Sequence, residues 1–134
     1  MYLKLLFADY DDGYAIIEFI GEWNDAIEND IMVLKRDFID SLIHEGITKF
    51  ILIGENVLNF HASDDSYYEE WIEDIEDGWV AMVNFHDHVS REMNSANIDH
   101  YFSFWRSARR CVEWRTFQPH QVFDLFQKLL KQLN

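Results

Sequence analysis

The segment 49–54 limits the folds open to this chain more than any other stretch of the sequence. It contains four consecutive apolar residues, ends at Gly54 and follows a segment with helical periodicity. A short apolar run of this kind is typical of a strand that is buried on both faces, and such strands occur in parallel sheets covered by helices. We therefore expect an α/β protein.

The preceding segment, 24–45, has the pattern of an amphipathic helix. Its apolar residues recur at steps of three and four, which places them on one helical face. They are Ile27, Ile31, Leu34, Phe38 and Leu42. We expect Asn24 or Asp25 to cap the start of this helix and Gly46 to end it.

The remaining segments continue an alternation of strands and helices. Two β-rich runs, 2–8 and 14–20, flank an Asp/Gly turn and predict an N-terminal hairpin. Helices are predicted at 66–75, 87–95 and 119–133 and strands at 79–85 and 111–117, while 100–110 is open between helix and loop. This order predicts a mixed, mostly parallel sheet with an N-terminal β-hairpin and helices packed on it, in a single domain over residues 1–134.

Charge is distributed unevenly along the 134 residues. Residues 1–77 hold 20 acidic and 4 basic residues, whereas residues 78–134 hold 5 acidic and 7 basic residues, and the net charge is −14. Such a balance argues against nonspecific nucleic-acid binding, which needs a basic surface. The acidic part is either a solvated surface that keeps the protein soluble or a docking face for a basic partner.

Compartment and cofactor use follow from what the sequence contains. Its single cysteine, Cys111, cannot form an internal disulfide, and we interpret it as a buried structural thiol. The N-terminus lacks a basic signal-peptide region and no run approaches 18 apolar residues, so we expect a cytoplasmic protein without membrane insertion. All five glycines are isolated, which excludes a glycine-rich phosphate loop, and we expect no cofactor.

Several stretches carry a resemblance to a known group of proteins. Residues 21–25 read Gly-Glu-Trp-Asn-Asp, residues 51–53 and 57–60 form apolar runs before a loop, and residues 79–84 and 114–117 have the spacing of a fourth strand and of the approach to a last helix. Over about residues 10–133 this pattern resembles the STAS-like (SpoIIAA-like) group, which includes anti-sigma-factor antagonists and the domain that ends sulfate transporters. The resemblance implies the fold of that group and a regulatory function through protein partners.

The same resemblance implies a phosphoacceptor serine. Antagonists have Asp-Ser-Ser-Gly in the loop where this chain has Ala-Ser-Asp-Asp-Ser-Tyr at 62–67, so Ser66 matches best and Ser63 second. The glycine is absent. A phosphate adds about −1.5 to −2 charge, and it would lie beside the carboxylates of Asp64, Asp65, Glu69 and Glu70. We therefore predict that neither serine is phosphorylated and that Ser66 caps the following helix.

The sequence His86-Asp87-His88 is the best metal candidate because it follows a predicted strand end. On a strand the two histidines would share a face, whereas at a helix start they would point apart. His61 and His100 are the other histidines that could join them, but zinc needs three or four ligands. We expect no metal site here and interpret His86 and His88 as surface or capping residues.

One basic stretch contains interleaved aromatic residues. Its members are Phe102, Phe104, Trp105, Arg106, Arg109 and Arg110. Arginine suits planar anions and aromatic stacking, so this stretch is either part of an amphipathic helix over the sheet or a binding surface. As a surface, it predicts a homodimer in which the arginines meet the acidic part of a second copy and which high salt loosens.

These observations favour a non-enzymatic regulatory or protein-interaction module of the STAS-like type that binds a protein partner. A small apolar or anionic molecule is a further candidate ligand. The alternative is a small enzyme or metal-binding protein that uses His86 and His88 with nearby acids. An enzyme should have a deep polar pocket lined by titratable groups with perturbed pKa values, and an interaction module should not.

Overall fold

Five strands form one mixed sheet in the part of the chain that the structure, a computed structural model, describes, namely residues 1–105 and 113–133. The strands are β1 (Tyr2–Asp9), β2 (Tyr14–Asn24), β3 (Lys49–His61), β4 (Trp79–Val83) and β5 (Ser103–Trp105), and they lie side by side in this order. β1 pairs with β2 antiparallel and the other neighbours are parallel. The predicted sheet with its N-terminal hairpin is confirmed.

Helices connect the parallel strands. α1 (Asp30–Leu34) continues through a π-helical segment (Lys35–Ile39) into α2 (Asp40–His44), and α3 (Ser66–Ile75), α4 (Asp87–Ser95) and α5 (Pro119–Leu133) follow. Short 3₁₀ turns occur at Asp99–Tyr101 and Trp114–Thr116. The bounds of α3, α4 and α5 are those predicted. Among the described helices, none has both the length and the apolar character to cross a membrane.

Alternate residues of the central strands face two separate cores. On one face, Phe50 and Leu52 of β3 pack with Trp23 of β2 and with side chains from the helices, including Tyr68 and Trp71 of α3. On the other, Ile51 and Ile53 pack beneath α5 with Val122, Phe123 and Phe126. This alternation explains why 49–54 is continuously apolar, since a strand between two helical layers has no solvent face.

Both central strands extend past the runs 14–20 and 49–54 that the sequence pattern indicates. β2 and β3 stay paired beyond Gly21, as far as Asn24 opposite His61. Gly54 lies inside β3, where a Cβ atom would come 2.4 Å from the ring of Phe85. The glycine therefore permits close packing rather than a turn, and β3 continues beyond it to His61.

The longer β2 moves the first helix toward the C-terminus. α1 begins at Asp30 rather than near Asn24, so the expected caps Asn24 and Asp25 lie before the helix. Ile31, Leu34 and Leu42 are buried as the helical pattern predicts. Ile27 was expected on the same apolar stripe, but it lies in the loop before α1 with 81% of its surface exposed.

The fifth strand lies upstream of its predicted position. Residues 103–105 form β5, whereas 114–116 of the predicted strand 111–117 form a 3₁₀ turn, and residues 111–112 lie outside the described residues. The open segment 100–110 thus contains a strand that neither alternative included. Because β5 pairs with β4 over three residues only, its pattern is too short to distinguish it from a loop.

Candidate functional site

Two loops meet at the carboxyl ends of β2 and β3 and enclose a small cavity. This edge of a parallel sheet is where α/β proteins place their binding sites. The cavity has a volume of about 250 Å³ and is bounded by the segment after β2 and the segment after β3. Its lining residues are Asp25, Ala26, Ile27, Asn29, Ile31, Ser63, Asp64 and Tyr67.

The carboxylate of Asp25 lies at the centre of this site and is 3% exposed. Its Oδ1 accepts hydrogen bonds from the indole Nε1 of Trp23 at 3.1 Å and from the backbone N–H of Ile31 at 2.8 Å. Its Oδ2 accepts the hydroxyl of Tyr68. Burial raises the pKa of Asp25 to about 6, although these three hydrogen bonds favour the charged form.

Further hydrogen bonds fix the loop that carries Asp25. Asp30 accepts the backbone N–H of Asn24 at 2.7 Å, and the Asn24 side chain accepts the N–H of Ile27 at 2.9 Å. The carbonyl of His61, at the end of β3, accepts the N–H of Asp25 at 2.9 Å. These hydrogen bonds fix the backbone of the loop at Ile27, while the Ile27 side chain is exposed to solvent.

On the opposite side of the cavity, Asp64 organises the start of α3. Its Oδ1 accepts the backbone N–H of Ser66 at 3.0 Å and also the Ser66 hydroxyl, and these bonds lower the pKa of Asp64. Ser66 is thus the first residue of the helix and a donor to Asp64, and the prediction that it caps the helix is wrong. Ser63 lines the cavity, and both serines are exposed.

A buried lysine joins α3 to the π-helical segment. The Lys35 ammonium is fully buried and bonds to Asp74 at 2.8 Å and to Asp40, with Glu70 at 3.3 Å. Burial alone would lower the pKa of Lys35, but the hydrogen bonds to Asp40 and Asp74 raise it above its usual value. The neighbouring Arg36 bonds to Glu70 and lies 5.2 Å from the ring centre of Tyr67. This network fixes the helix that borders the cavity.

The two histidines of the metal candidate lie at the start of α4. His86 directly precedes the helix and His88 lies in its first turn, yet their rings are nearly parallel, with centres 5.8 Å apart. They therefore do not point apart as expected for a helix start. Each Nε2 lies within hydrogen-bonding distance of a β3 carbonyl, that of Glu55 at 2.7 Å and that of Leu58 at 2.6 Å.

This geometry does not support the metal-binding alternative. The histidine Nε2 atoms serve to attach α4 to β3. Across residues 1–105 and 113–133, no three His, Cys, Asp or Glu side chains converge in a way that could hold a metal ion. Of the other two histidines considered, His61 uses its carbonyl in the Asp25 loop and His100 stacks on Tyr101.

A second polar cluster lies on the side of the sheet that α5 covers. Glu55 pairs with Arg115 and accepts the indole Nε1 of Trp114 at 3.4 Å. The buried Glu18 lies 3.6 Å from the same guanidinium and accepts the amide of Asn56 at 3.2 Å. These contacts attach the 3₁₀ turn before α5 to β2 and β3.

The described aromatic residues of the aromatic and basic stretch differ in how deeply they are buried. Phe102 is 8% exposed and packs against Tyr68 and Trp71 in the core, so it does not lie on a binding surface. Trp105 is half-buried on β5, with its ring 5.6 Å from that of Phe126. Arg106, Arg109, Arg110 and Cys111 lie outside the described residues.

Solved structures share this architecture. The anti-sigma factor antagonist SpoIIAA in its unphosphorylated form is 12% identical, with a TM-score of 0.65 over 95% of this chain and 97% of that one. The chain has the SpoIIAA-like fold. SpoIIAA of Bacillus in its phosphorylated form is 9% identical over 93% and 99% of the two chains, with a TM-score of 0.51. A provisionally assigned anti-sigma factor antagonist from Thermotoga maritima is 20% identical over 80% and 86%, with a TM-score of 0.58.

At these identities the likeness establishes the SpoIIAA-like fold and no more. No family profile and no curated protein sequence matches the chain.

The residue that sequence reasoning missed is Asp25. It was expected to cap a helix, and the only local sign of its burial is its position between Trp23 and the apolar residues that follow.

Proposed function

We propose that this chain is a non-enzymatic regulatory module that acts by binding a protein partner at the cavity beside Asp25. The observation that carries the proposal is the exposure of Ile27, 81%, on a loop whose backbone is held by hydrogen bonds. Because the loop is already fixed, a partner can bury this large apolar side chain without the entropic cost of ordering the loop. The SpoIIAA-like fold supports a regulatory role.

The charge around the cavity favours a neutral or basic partner surface. Asp25 and Asp64 both line the cavity, and 20 of the 25 acidic residues lie within residues 1–77. An anionic small ligand would be repelled there, so the ligand in our proposal is a protein segment with apolar and basic side chains. A cytoplasmic location and a single domain over residues 1–134 belong to the same proposal.

We do not extend the proposal to catalysis. Asp25 has the perturbed pKa that a catalytic acid or base often has. Its oxygens, however, are occupied by Trp23, Ile31 and Tyr68 of the same chain, which fits a carboxylate that fixes two loops.

Site-specific photocrosslinking tests the proposal. Ile27 is replaced by p-benzoyl-phenylalanine and the protein is irradiated in host lysate. Leu125, exposed on α5 at the other face of the sheet, receives the same replacement as a matched control. We expect one protein to crosslink through position 27 and not through position 125. Equal crosslinking at both positions, or none at position 27, would contradict the proposed surface.

A further inference from the structure

The first strand leaves one edge of the sheet open. β1 pairs with β2 on one side, and no described strand lies on its other side. Large apolar side chains are exposed along this strand and the turn after it. They are Tyr2 at 79%, Leu5 at 43%, Leu6 at 38%, Phe7 at 36% and Tyr10 at 56%.

Natural sheets usually protect such an edge with charges, proline or a short strand. β1 has eight residues, no proline, and only Lys4 and Asp9 as charged side chains. At the opposite edge of the described sheet, β5 has three residues within the part of the chain that the structure describes. One protective feature is present in β1, an irregularity between Leu5 and Phe7 where the register with β2 shifts by one residue.

That irregularity changes which side chains share a face. Lys4 lies opposite Glu18 and Asp9 lies opposite Tyr14. Tyr14 belongs to the core on the α5 side, and Glu18 lies on the same face of β2, near Arg115 of the turn before α5. In a regular strand, residues five positions apart would point to opposite faces. The shift therefore places Lys4 and Asp9 on the same face of β1, one on each side of the Leu6–Phe7 step.

We propose that β1 is the docking surface for a second copy of this chain, which pairs with it antiparallel about a two-fold axis between Leu6 and Phe7. This arrangement is isologous, since every contact between two residues of different copies occurs twice, once in each direction. Lys4 of each copy faces Asp9 of the other, and Leu5 faces Ala8. Two opposite-charge pairs and an apolar centre then join the sheets of the two copies.

The surface beside β1 fits the same occupant. A hollow of about 240 Å³ between β1 and α1 is lined mainly by apolar side chains, among them Met1, Leu3 and Val33. In the proposed register, Tyr10 of the second copy lies next to Leu3, at the mouth of this hollow. The exposed tyrosine thereby gains an apolar contact in both copies.

Overall charge opposes this dimer and gives it a diagnostic salt dependence. Each copy carries −14, so two copies repel each other through water, and added salt screens that repulsion. Salt also screens the two Lys4–Asp9 pairs, but the other contacts at β1 are apolar and backbone contacts, which salt does not weaken. The β1 dimer therefore tightens with salt, whereas a dimer built from arginines against acids loosens.

Sedimentation velocity of the purified chain over a concentration series, at low and high salt, tests the proposal. We expect a dimer that high salt strengthens. Leu6→Lys should weaken it by about tenfold or more. Leu125→Lys changes a leucine of the same 38% exposure on α5 and should leave the dimer unchanged.

Charge reversal tests the register. Lys4→Asp places like charges opposite each other twice and should weaken the dimer by about tenfold. Mixing Lys4→Asp with Asp9→Lys should restore association as a heterodimer. Because Asp9 also accepts the N–H groups of Asp11 and Asp12, the circular dichroism of Asp9→Lys is checked first. If that variant does not fold, Lys4→Asp is compared with Lys4→Gln, and the reversal should weaken the dimer more than the neutral change.

Four results would overturn the proposal. They are a monomer under every condition, a dimer that salt loosens, equal effects of Leu6→Lys and Leu125→Lys, and a monomer that instead binds a basic peptide through Leu6. All of these are measured on the pure protein. They are therefore distinguishable from failure of the partner surface at Ile27.

Discussion

Tyr68 donates its hydroxyl to the carboxylate of Asp25, although 43 residues separate the two positions. Both side chains are buried, and burial raises the pKa of Tyr68 well above its usual value. The bond joins the first turn of α3 to the loop after β2. It therefore fixes the two walls of the cavity relative to each other, and the exposed Ile27 with them.

Removing this hydroxyl should destabilise the protein without creating a cavity in its core. In Tyr68→Phe the ring stays, but Asp25 loses one of its three donors while it remains buried. We expect a loss of roughly 1–3 kcal/mol in the free energy of unfolding at neutral pH. We also expect a further rise in the pKa of Asp25, because the lost bond lowers it in the native protein. Urea unfolding gives the first quantity and NMR titration of the carboxyl group gives the second. A stability unchanged from wild type would show that this bond does not hold the loops.

Asp25 should also make stability fall as the pH rises. Its pKa is about 6 in the folded protein against 3.8 for an ordinary aspartate, so between these values the native state binds more protons than the unfolded state. The contribution of Asp25 to the free energy of unfolding is therefore greatest below pH 3.8, and it decreases as the pH rises to about 6. Asp25→Asn removes the titration, and its amide can still accept from Trp23 and Ile31 while donating to Tyr68.

The measurement is the difference in unfolding free energy between wild type and Asp25→Asn at several pH values. We expect that difference to move by about 2 kcal/mol in favour of wild type from about pH 7.5 to about pH 4.5. Comparison with the variant cancels the effect of the other carboxylates, which titrate in both proteins. A flat difference, or one of the opposite sign, would contradict the raised pKa.

The bounds of helices that depend on residues within the segment could be predicted from the sequence. The bounds of strands that depend on contacts distant in sequence could not. α3, α4 and α5 have their predicted bounds because their periodicity and end residues lie within the segments themselves. The ends of β2 and β3 depend on pairing between strands about 35 residues apart, so the local pattern does not show that both strands continue past Gly21 and Gly54. The burial of Asp25 likewise depends on Tyr68, and no local pattern records that contact.

The buried Lys35 should matter more than its exposed neighbour Arg36. Lys35→Met keeps most of the side-chain volume but leaves three carboxylates without their shared cation. Since those carboxylates are themselves 35–43% exposed, water replaces part of the lost interaction. We expect a loss of about 2 kcal/mol for Lys35→Met and a smaller loss for Arg36→Met, whose ion pairs are exposed to water. Equal losses in urea unfolding would show that burial of the lysine is not decisive.

Ser63, in the loop after β3, and Ser66, at the start of α3, should remain unphosphorylated. The hydroxyl of Ser66 is bonded to Asp64, and Ser63 shares the cavity with the carboxylates of Asp25 and Asp64. A phosphate at either serine would meet negative charge on two sides. Intact-mass spectrometry after incubation with host lysate and ATP should show no added phosphate, with Ser63→Ala and Ser66→Ala as site controls. A gain of one phosphate that either substitution abolishes would establish a phosphorylation switch in this loop.

Affinity capture from native lysate with three forms of the chain tests the central claim, that the loop fixed by Asp25 presents Ile27 to a protein partner. The forms are wild type, Ile27→Arg, which places a charge at the exposed position, and Leu125→Arg, which does the same on α5. Mass spectrometry should find a protein retained by wild type and Leu125→Arg and lost with Ile27→Arg. Capture of the same proteins by Ile27→Arg as by wild type would contradict the claim.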